Sequence, residues 1–440
     1  MIFTYFKDSD FDFDRFKYKT VEGTIIVDAH LINIDQKCPL CDSFDVSKNG
    51  HTTKTIFHCL NYLNPIKIKL HIQRFKCKNC SQVFYEKDTF SAPGLNISKD
   101  SLIILMDLLL KPNETFKSVG DILHLSKQHV RDIFDKTYYY EAPVTLPEII
   151  CIDEKYINKA MTERSYICVL LDFKTKEIYD VYRRRHKEYI SRIFSKYPRE
   201  ERLKVKYVIM DMWESYRDLA RVYFPNAKIA IDSFHVLENI TRAMNKIRCS
   251  VQARYNDKSI ERDIDKPLYY FLKRFDYFFT TDFDDLPNHI KIPLYRTSWS
   301  KWELRKYLLS IDEKLAKAYN LVMEYKEFNK TATIENAKEK LNEIIESFYK
   351  TNLPFFNDVL STLITWKEYI INSFITIEDE LTLEKRRLSN GPIEGRNAII
   401  EQILINGKGF TDFEIFRKRI IYVSKKQIKI CKKQNIKKHK

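Results

Sequence analysis

Glu148-Ile149-Ile150-Cys151-Ile152-Asp153 opens the part of the chain whose reading decides the fold. It is an apolar, β-branched run that ends in a carboxylate. Ser165 to Leu171 is a second apolar run, and a polar turn through Asp172-Phe173-Lys174-Thr175-Lys176 leads to a third, Glu177 to Tyr182. Their lengths and β-branching predict three strands joined partly by a hairpin. A polar helix is expected from about His186 to Tyr197. A buried strand at Lys206 to Met210, a helix near Tyr216 to Tyr223 and a strand at Lys228 to Ile231 follow. Three strands followed by alternating helices and strands predict a mixed α/β sheet with covered faces. Two acids stand at expected strand ends, Asp153 after the first strand and Asp211 after the fourth. Strand ends are where an open α/β sheet exposes functional groups. A lone aspartate there ordinarily caps a turn. Two of them beside central strands suit a hard divalent cation, since Mg2+ takes one or two carboxylates and keeps several waters.

Upstream, Cys38-Pro39-Leu40-Cys41 and Cys77-Lys78-Asn79-Cys80 are two Cys-x-x-Cys pairs. Each spacing lets two thiolates reach one ion, and two such knuckles complete a tetrahedral four-cysteine zinc site. Such a site is closed and structural, because four thiolates leave no position for water. The 35 residues between Cys41 and Cys77 exceed a short ribbon and suggest an intervening sheet. Ile66, Ile68, Leu70 and Ile72 alternate with Lys67, Lys69, His71 and Gln73, a period-2 strand with one packed face and one basic face. His58 and Cys59 lie between the pairs as alternative ligands.

A helical stretch from Lys99 to Leu110 is halted by Pro112. Thr115 suits the cap of a second helix with Phe116, Val119, Ile122 and Leu123 on one face, and Ser126 the cap of a third with Val130, Ile133 and Phe134 inward. Lys127, Gln128, His129 and Arg131 would point outward near the start of that third helix. Two short helices with a tight turn suit a helix-turn-helix, whose second helix enters the major groove of DNA. An ordinary helical hairpin would share the pattern.

Downstream of the expected sheet, about Phe234 to Glu384 reads as charged and helical, with Leu268-Tyr269-Tyr270-Phe271-Leu272 and Trp366 expected in a core. Then comes Leu388-Ser389-Asn390-Gly391-Pro392-Ile393-Glu394-Gly395-Arg396-Asn397. Pro392 suits the first turn of a helix and places Glu394 near its start. Lys408-Gly409-Phe410 and a basic helix, Phe413 to Ile421, follow. Lys425 to Lys440 holds eight lysines and no acid, and is expected to form a frayed, solvated or DNA-touching tail.

The balance of 75 Lys+Arg against 60 Asp+Glu gives a formal net charge of +15. That excess favours a polyanionic partner, because neutralised phosphates release condensed counterions. No run is long and apolar enough to span a bilayer; the most apolar, Ser101 to Leu110, is short and contains Asp107. The N-terminal segment lacks the basic start and apolar core of a signal peptide. An intracellular, reducing location is therefore expected, where the nine cysteines serve as thiols or metal ligands. There is no Walker phosphate loop and no Gly-x-Gly-x-x-Gly fingerprint, so a nucleotide-driven mechanism has no support.

Taken in order, Cys-Pro-x-Cys, the later Cys-x-x-Cys, Ile152-Asp153-Glu154, Asp211-Met212-Trp213-x-x-Tyr216, Asp232-x-Phe234-His235 and Ser389-Asn390-Gly391-x-x-Glu394-Gly395 resemble the ISL-three group of bacterial insertion-sequence transposases. The resemblance runs from Cys38 to about Ile421. It implies a ribonuclease H-like catalytic domain with a helical insertion before the last acid. It also implies Asp153, Asp211 and Glu394 as a DDE triad holding catalytic Mg2+ or Mn2+, and Cys38, Cys41, Cys77 and Cys80 as ligands of a structural Zn2+. Gly409-Phe410 through Arg419-Ile420 resembles the family's closing segment. Arg396-Asn397-Ala398 departs from the commoner pair of asparagines. Asp232 and His235 match a motif too, with Asp232 a metal ligand, a partner behind the ligands or a cap.

The expected whole is an α/β multidomain chain. It comprises an N-terminal zinc-binding region (1–95), a helix-turn-helix (96–142), a ribonuclease H-like domain in two parts (143–240 and 387–424) around a helical insertion (241–386), and a basic tail (425–440). Implied partners are double-stranded DNA, as transposon terminal inverted repeats and target, and further copies of the chain in a dimeric or larger synaptic complex. The implied setting is the bacterial cytoplasm, associated with the nucleoid. A zinc-finger and helix-turn-helix regulator without catalysis is the alternative. It would leave Asp153, Asp211 and Glu394 idle.

Overall fold

The computed structural model describes residues 11–32, 36–59, 64–157, 165–255, 265–378, 385–407 and 410–438. The chain divides into two compact units. One contains Met1–Glu141, Asn158–Glu163 and Arg396–Lys440; the other contains Ala142–Ile157 and Arg164–Gly395.

The first unit begins with a sheet. Its strands are β1 (Lys17–Val21), β2 (Thr24–His30), β3 (Val46–His58), β4 (Ile66–Cys77) and β5 (Val83–Tyr85), in the order β1-β2-β4-β3 with β5 also on β4. β2 and β4 are parallel and the other pairs antiparallel. The alternation read in β4 is observed. Ile66, Ile68, Leu70 and Ile72 are buried with Ile25, Val27, Ala29 and Ile56, while Lys67 and Lys69 are exposed. Three helices follow: α1 (Lys99–Leu108), α2 (Phe116–Leu123) and α3 (Lys127–Thr137). Each is capped by the hydroxyl of the residue before it. Ser98 accepts from Ser101 N, Thr115 from Ser118 N and Ser126 from His129 N. These caps satisfy amides that have no partner inside the helix.

The second unit is built on the strands β6 (Ile149–Tyr156), β7 (Tyr166–Asp172), β8 (Ile178–Tyr182), β9 (Tyr207–Met210) and β10 (Lys228–Ile231). The helices α4 (Lys187–Phe194), α5 (Arg199–Lys204) and α6 (Glu214–Tyr223) run between them. The sheet order is β10-β9-β6-β7-β8. β7 is antiparallel to both neighbours, whereas β9 and β10 are parallel to β6. The first strand does not end at Asp153. Parallel pairing with β9 stops at Ile152↔Met210, but antiparallel pairing with β7 continues from Asp153↔Val169 to Tyr156↔Tyr166.

After β10 come α7 (Ser233–Ala253), α8 (Asp265–Arg274), the hairpin of β11 (His289–Ile292) and β12 (Thr297–Ser300), α9 (Lys301–Ser310), α10 (Glu313–Thr331), α11 (Ala337–Thr351), α12 (Asn357–Thr365) and α13 (Lys367–Asn372). Phe271, Leu272 and Trp366 are buried, as their apolar setting suggests. Asn372 Nδ2 donates to the Ile229 carbonyl at 2.8 Å, so α13 occupies part of the outer edge of β10. A short hairpin of β13 (Thr376–Glu378) and β14 (Lys385–Arg387) leads into α14 (Gly391–Asn406).

The last helix, α15 (Phe413–Lys438), belongs to the first unit and runs on past Lys425 without a break. Ile415 and Tyr422 join the core of α1–α3. Arg419 is buried and donates to the carbonyls of Lys111 (2.9 Å) and Glu114 (3.0 Å), while Tyr422 Oη donates to Met106 O at 2.9 Å. These bonds draw the C-terminal helix into the unit of the cysteine-rich segment, where the sequence reading groups 387–424 with the catalytic domain. Lys408 and Gly409 of the closing segment, and the side chains beyond Lys425, lie outside the described residues.

Candidate active site

Ile152, Met210 and Ile231 are register partners across β6, β9 and β10. The residue that follows each of them is an acid: Asp153, still within β6, and Asp211 and Asp232, just past the ends of β9 and β10. Adjacent strands lie roughly 4.8 Å apart, so the topology lines three aspartates along one end of the sheet. Two of these positions were read from sequence as metal-holding acids.

Asp232 is buried, and both its oxygens accept from backbone amides at 3.0 Å. Oδ1 takes Phe234 N, capping α7, and Oδ2 takes Asn390 N just before α14. Of the three readings left open for Asp232, the cap is therefore observed. Asn390 in turn donates from Nδ2 to Asp211 Oδ1 at 3.0 Å. His235, in the first turn of α7, places Nε2 at 3.0 Å from the same oxygen and Nδ1 at 3.5 Å from Glu238. The hydrogen bond to Asp211 outweighs burial and lifts the imidazole pKa to about 9, so His235 is an imidazolium at neutral pH. Asn390 Oδ1 is buried with no donor among the described residues.

Glu394 enters from the first turn of α14, its amide bonded to Asn390 O at 3.0 Å. It is exposed, yet its carboxyl is held above the usual range by partial burial and by the charges of Asp232 and Asp211, against the opposing pull of His235. Asp153 is half-buried and its Oδ1 accepts the Glu154 amide at 2.7 Å. The structure thus gathers Asp211, Asp232, His235, Asn390 and Glu394 into one cluster and sets Asp153 beside Asp211 by strand register. The oxygens of Asp153, Asp211 and Glu394 do not all close to within 4.8 Å of one another; among the described residues only a group of four cysteines does so.

Residues 150–420, well over half of the chain and the segment carrying all these acids, match the family model described as Transposase, of the DDE type and ISL-three group. The chain belongs to this transposase family. No curated protein matches it. Membership marks the transposase as a DNA-processing enzyme with DNA as its partner. No helix among the described residues is long and apolar enough to cross a membrane.

The family motifs have visible local work. Glu154 pairs with Arg185, whose guanidinium lies 4.2 Å over the Tyr166 ring and 5.2 Å over Trp213; Trp213 meets Tyr216 edge-on at 4.5 Å. Burial raises the Glu154 carboxyl pKa, and Arg185 opposes that rise. Asn390, Glu154 and Arg185 were given no role from sequence, although Asn390 and Glu154 stand inside the quoted motifs.

In the first unit, the transposase brings its two knuckles together because β3 and β4 form a long hairpin with Val46 opposite Cys77. Each knuckle closes on a residue of positive φ, Asp42 (60°) and Ser81 (60°). Cys38 Sγ lies 3.6 Å from Cys80 Sγ, and Cys41 Sγ lies 3.6 Å from Cys77 Sγ, with all four sulfurs mutually within 4.8 Å. That is too far for a disulfide. It is close to the roughly 3.8 Å edge of a tetrahedron with zinc–sulfur bonds of about 2.3 Å. Backbone amides of Cys80 and Asn79, and neighbouring thiols, lower the Cys77 pKa to about 7 despite burial. The cluster can hold a zinc ion. His58 and Cys59 are not part of it: His58 Nδ1 bonds Ser98 Oγ at 2.8 Å, and Cys59 is buried in the core of the helices.

α2 and α3 meet across a three-residue turn in which His124 adopts φ 54°. Gly120 packs under this turn, where an added Cβ would collide with the Leu125 carbonyl oxygen. Lys127 and Gln128 are exposed, with Gln128 Nε2 on Asp132 at 2.7 Å. His129 and Arg131 are half-buried. His129 lies edge-on to Phe57 at 4.9 Å, and Arg131 is bonded to Asp412 at 2.7 Å.

Proposed function

We propose that this transposase binds the ends of an insertion sequence and catalyses metal-dependent DNA strand cleavage and strand transfer, with Asp153, Asp211 and Glu394 as the DDE acids. The observation that carries this reading is the register row. Asp153 and Asp211 follow partnered residues on adjacent parallel strands, and Glu394 comes to the same end of the sheet from α14. The sheet order, with one antiparallel strand between two that run alike and two parallel strands beyond, supports a ribonuclease H-like domain interrupted by the helices from α7 to α13.

The residues present fit a divalent cation. They offer hard carboxylate oxygens, with the Glu394 pKa raised by partial burial and then by the charges of Asp232 and Asp211, and a buried Asn390 oxygen that lacks a donor among the described residues. When bound, Mg2+ or Mn2+ activates a water or a DNA 3′-hydroxyl and stabilises the leaving oxygen at phosphorus. The chain holds the acids in place. Asp232 fixes the backbone before α14, Asn390 and His235 orient Asp211 through its Oδ1, and β7 keeps Asp153 paired beyond the end of β9. No protein nucleophile is required, since the attacking oxygen comes from water or DNA.

α2 and α3 form the helix-turn-helix of this reading, with Lys127 and Gln128 the residues best placed for DNA, and the four cysteines hold structural Zn2+. The decisive experiment incubates the full chain with a labelled duplex carrying the element's terminal inverted repeat. Mg2+-dependent nicking followed by joining to target DNA is expected. Specific binding without nicking in Mg2+ or Mn2+ would instead establish a regulator. In the same assay Gln128→Ala should reduce discrimination of end over random duplex up to about tenfold, and unchanged discrimination would remove α3 from sequence reading.

A further inference from the structure

The outward face of the N-terminal sheet is a second cationic surface, distinct from α3. Across the strands one register row places Lys17, Asp28, Lys69 and Thr55 side by side, and the next places Lys19, Ile26, Lys67 and Phe57. Lys17, Lys19, Lys67 and Lys69 are exposed, and none forms an ion pair with another described residue. Three lysines near the same sheet are paired instead: Lys37 with Asp42, Lys54 with Asp88 and Lys78 with Asp45. Asp28, the one acid in these two rows, is taken by His71 Nε2 at 2.8 Å. Four lysines therefore stand on one sheet face, with Asp28 the single carboxylate inside their two rows.

The position of this face matters as much as its charge. Lys67 Nζ lies 5.9 Å over the Phe57 ring, and the same ring receives His129 of α3 edge-on. Phe57 thus joins the lysine rows to the start of α3, and both belong to one compact unit. Along β4, Lys67 and Lys69 stand roughly 6.7 Å apart, with Lys19 and Lys17 about 9.6 Å away across β2. The result is a broad cationic patch rather than a cleft for one small anion.

We propose that this sheet face binds the phosphodiester backbone of duplex DNA beside the groove entered by α3, contributing affinity without sequence preference. The proposal rests on the reading of the chain as an end-binding transposase. The test is a salt titration of duplex binding by the full chain carrying Lys17→Gln, Lys19→Gln, Lys67→Gln and Lys69→Gln together. Each lost phosphate contact lowers the slope of log affinity against log salt by about 0.9. The slope is expected to fall by about 2 to 4 with zinc content unchanged, and the preference for end over random duplex to persist. A slope equal to that of the unsubstituted chain overturns the proposal while leaving the transposase reading intact. So does an equal loss in a control carrying Lys37→Gln and Lys78→Gln. Failure of the unsubstituted chain to bind any duplex overturns both.

Discussion

The two candidate metal centres are prepared in opposite ways. Four cysteines already stand within 4.8 Å of one another. The acids at the end of the second sheet are held in a row, with a histidine and an asparagine on Asp211. The difference follows from charge. Thiols can be neutral, and a knuckle's own amides stabilise a thiolate, so sulfurs can converge on backbone geometry alone. Carboxylates at neutral pH repel, and closing them without a cation raises their pKa; at Glu394 the charges of Asp232 and Asp211 add to a rise led by burial. A closed sulfur centre suits a permanent structural ion, and an open oxygen centre suits an ion that meets substrate.

The largest expected effect tests the oxygen centre. Asp153→Ala, Asp211→Ala or Glu394→Ala should each lower strand cleavage by roughly a thousandfold or more, with specific end binding retained. Gel-based cleavage and binding on the same preparations check this. If Asp232→Ala abolished cleavage at unchanged stability while Glu394→Ala did not, the third acid would be Asp232. The sulfur centre comes next. Cys38→Ser or Cys80→Ser should eliminate about one bound zinc per chain and unfold the β3–β4 region, leaving the sheet of β6–β10 folded. Elemental analysis with limited proteolysis would show it. Folded, zinc-free wild-type protein would break the comparison at its simpler end.

Local pattern carried much of this architecture. The period-2 run from Ile66 marks β4, and Thr115 and Ser126 mark the starts of α2 and α3, because alternation and capping are written in neighbouring residues. The four cysteines could be read from the spacing of two knuckles, and Asp153 and Asp211 as candidates from acids that follow apolar runs, whereas Glu394 became a candidate only through the family resemblance. What was not legible depends on distant pairing. Asp153 lies within β6 rather than at its end because β7 outlasts β9 as a partner, and no property of the Glu148–Asp153 run announces that. The bond from Asn390 to Asp211, 179 residues apart, exists only once α14 has been brought to the sheet. The buried guanidinium of Arg419 could not be told from a surface arginine in a basic helix. Its partners are carbonyls after α1, more than 300 positions away.

The cap reading of Asp232 gives a smaller effect that separates support from chemistry. Asp232→Ala leaves the amides of Phe234 and Asn390 without their buried acceptor, which should cost about 2–4 kcal/mol. Asp232→Asn keeps an acceptor for one amide and should cost less. A positioning role predicts that cleavage by the asparagine variant recovers with its thermal stability. Persistent inactivity in a protein of normal stability would argue that Asp232 itself holds the ion.

The smallest effect sharpens the comparison within the first unit, which holds both a sulfur centre and an apolar helical core. Val119, Val130 and Phe134 of α2 and α3 pack with Leu105 of α1 and Tyr422 of α15, a core that includes none of the four clustered thiols. Gly120→Ala would set a methyl group against the Leu125 carbonyl, which is fixed by its place in the α2–α3 turn. The turn would have to open, at a cost of about 1–3 kcal/mol. We expect a lowered melting temperature, loosened end recognition and an unchanged zinc content, because the knuckles are closed by the β3–β4 hairpin and not by these helices. Zinc loss in Gly120→Ala would show that the helical core and the sulfur centre fold as one cooperative body, and the division drawn between them would have to be withdrawn.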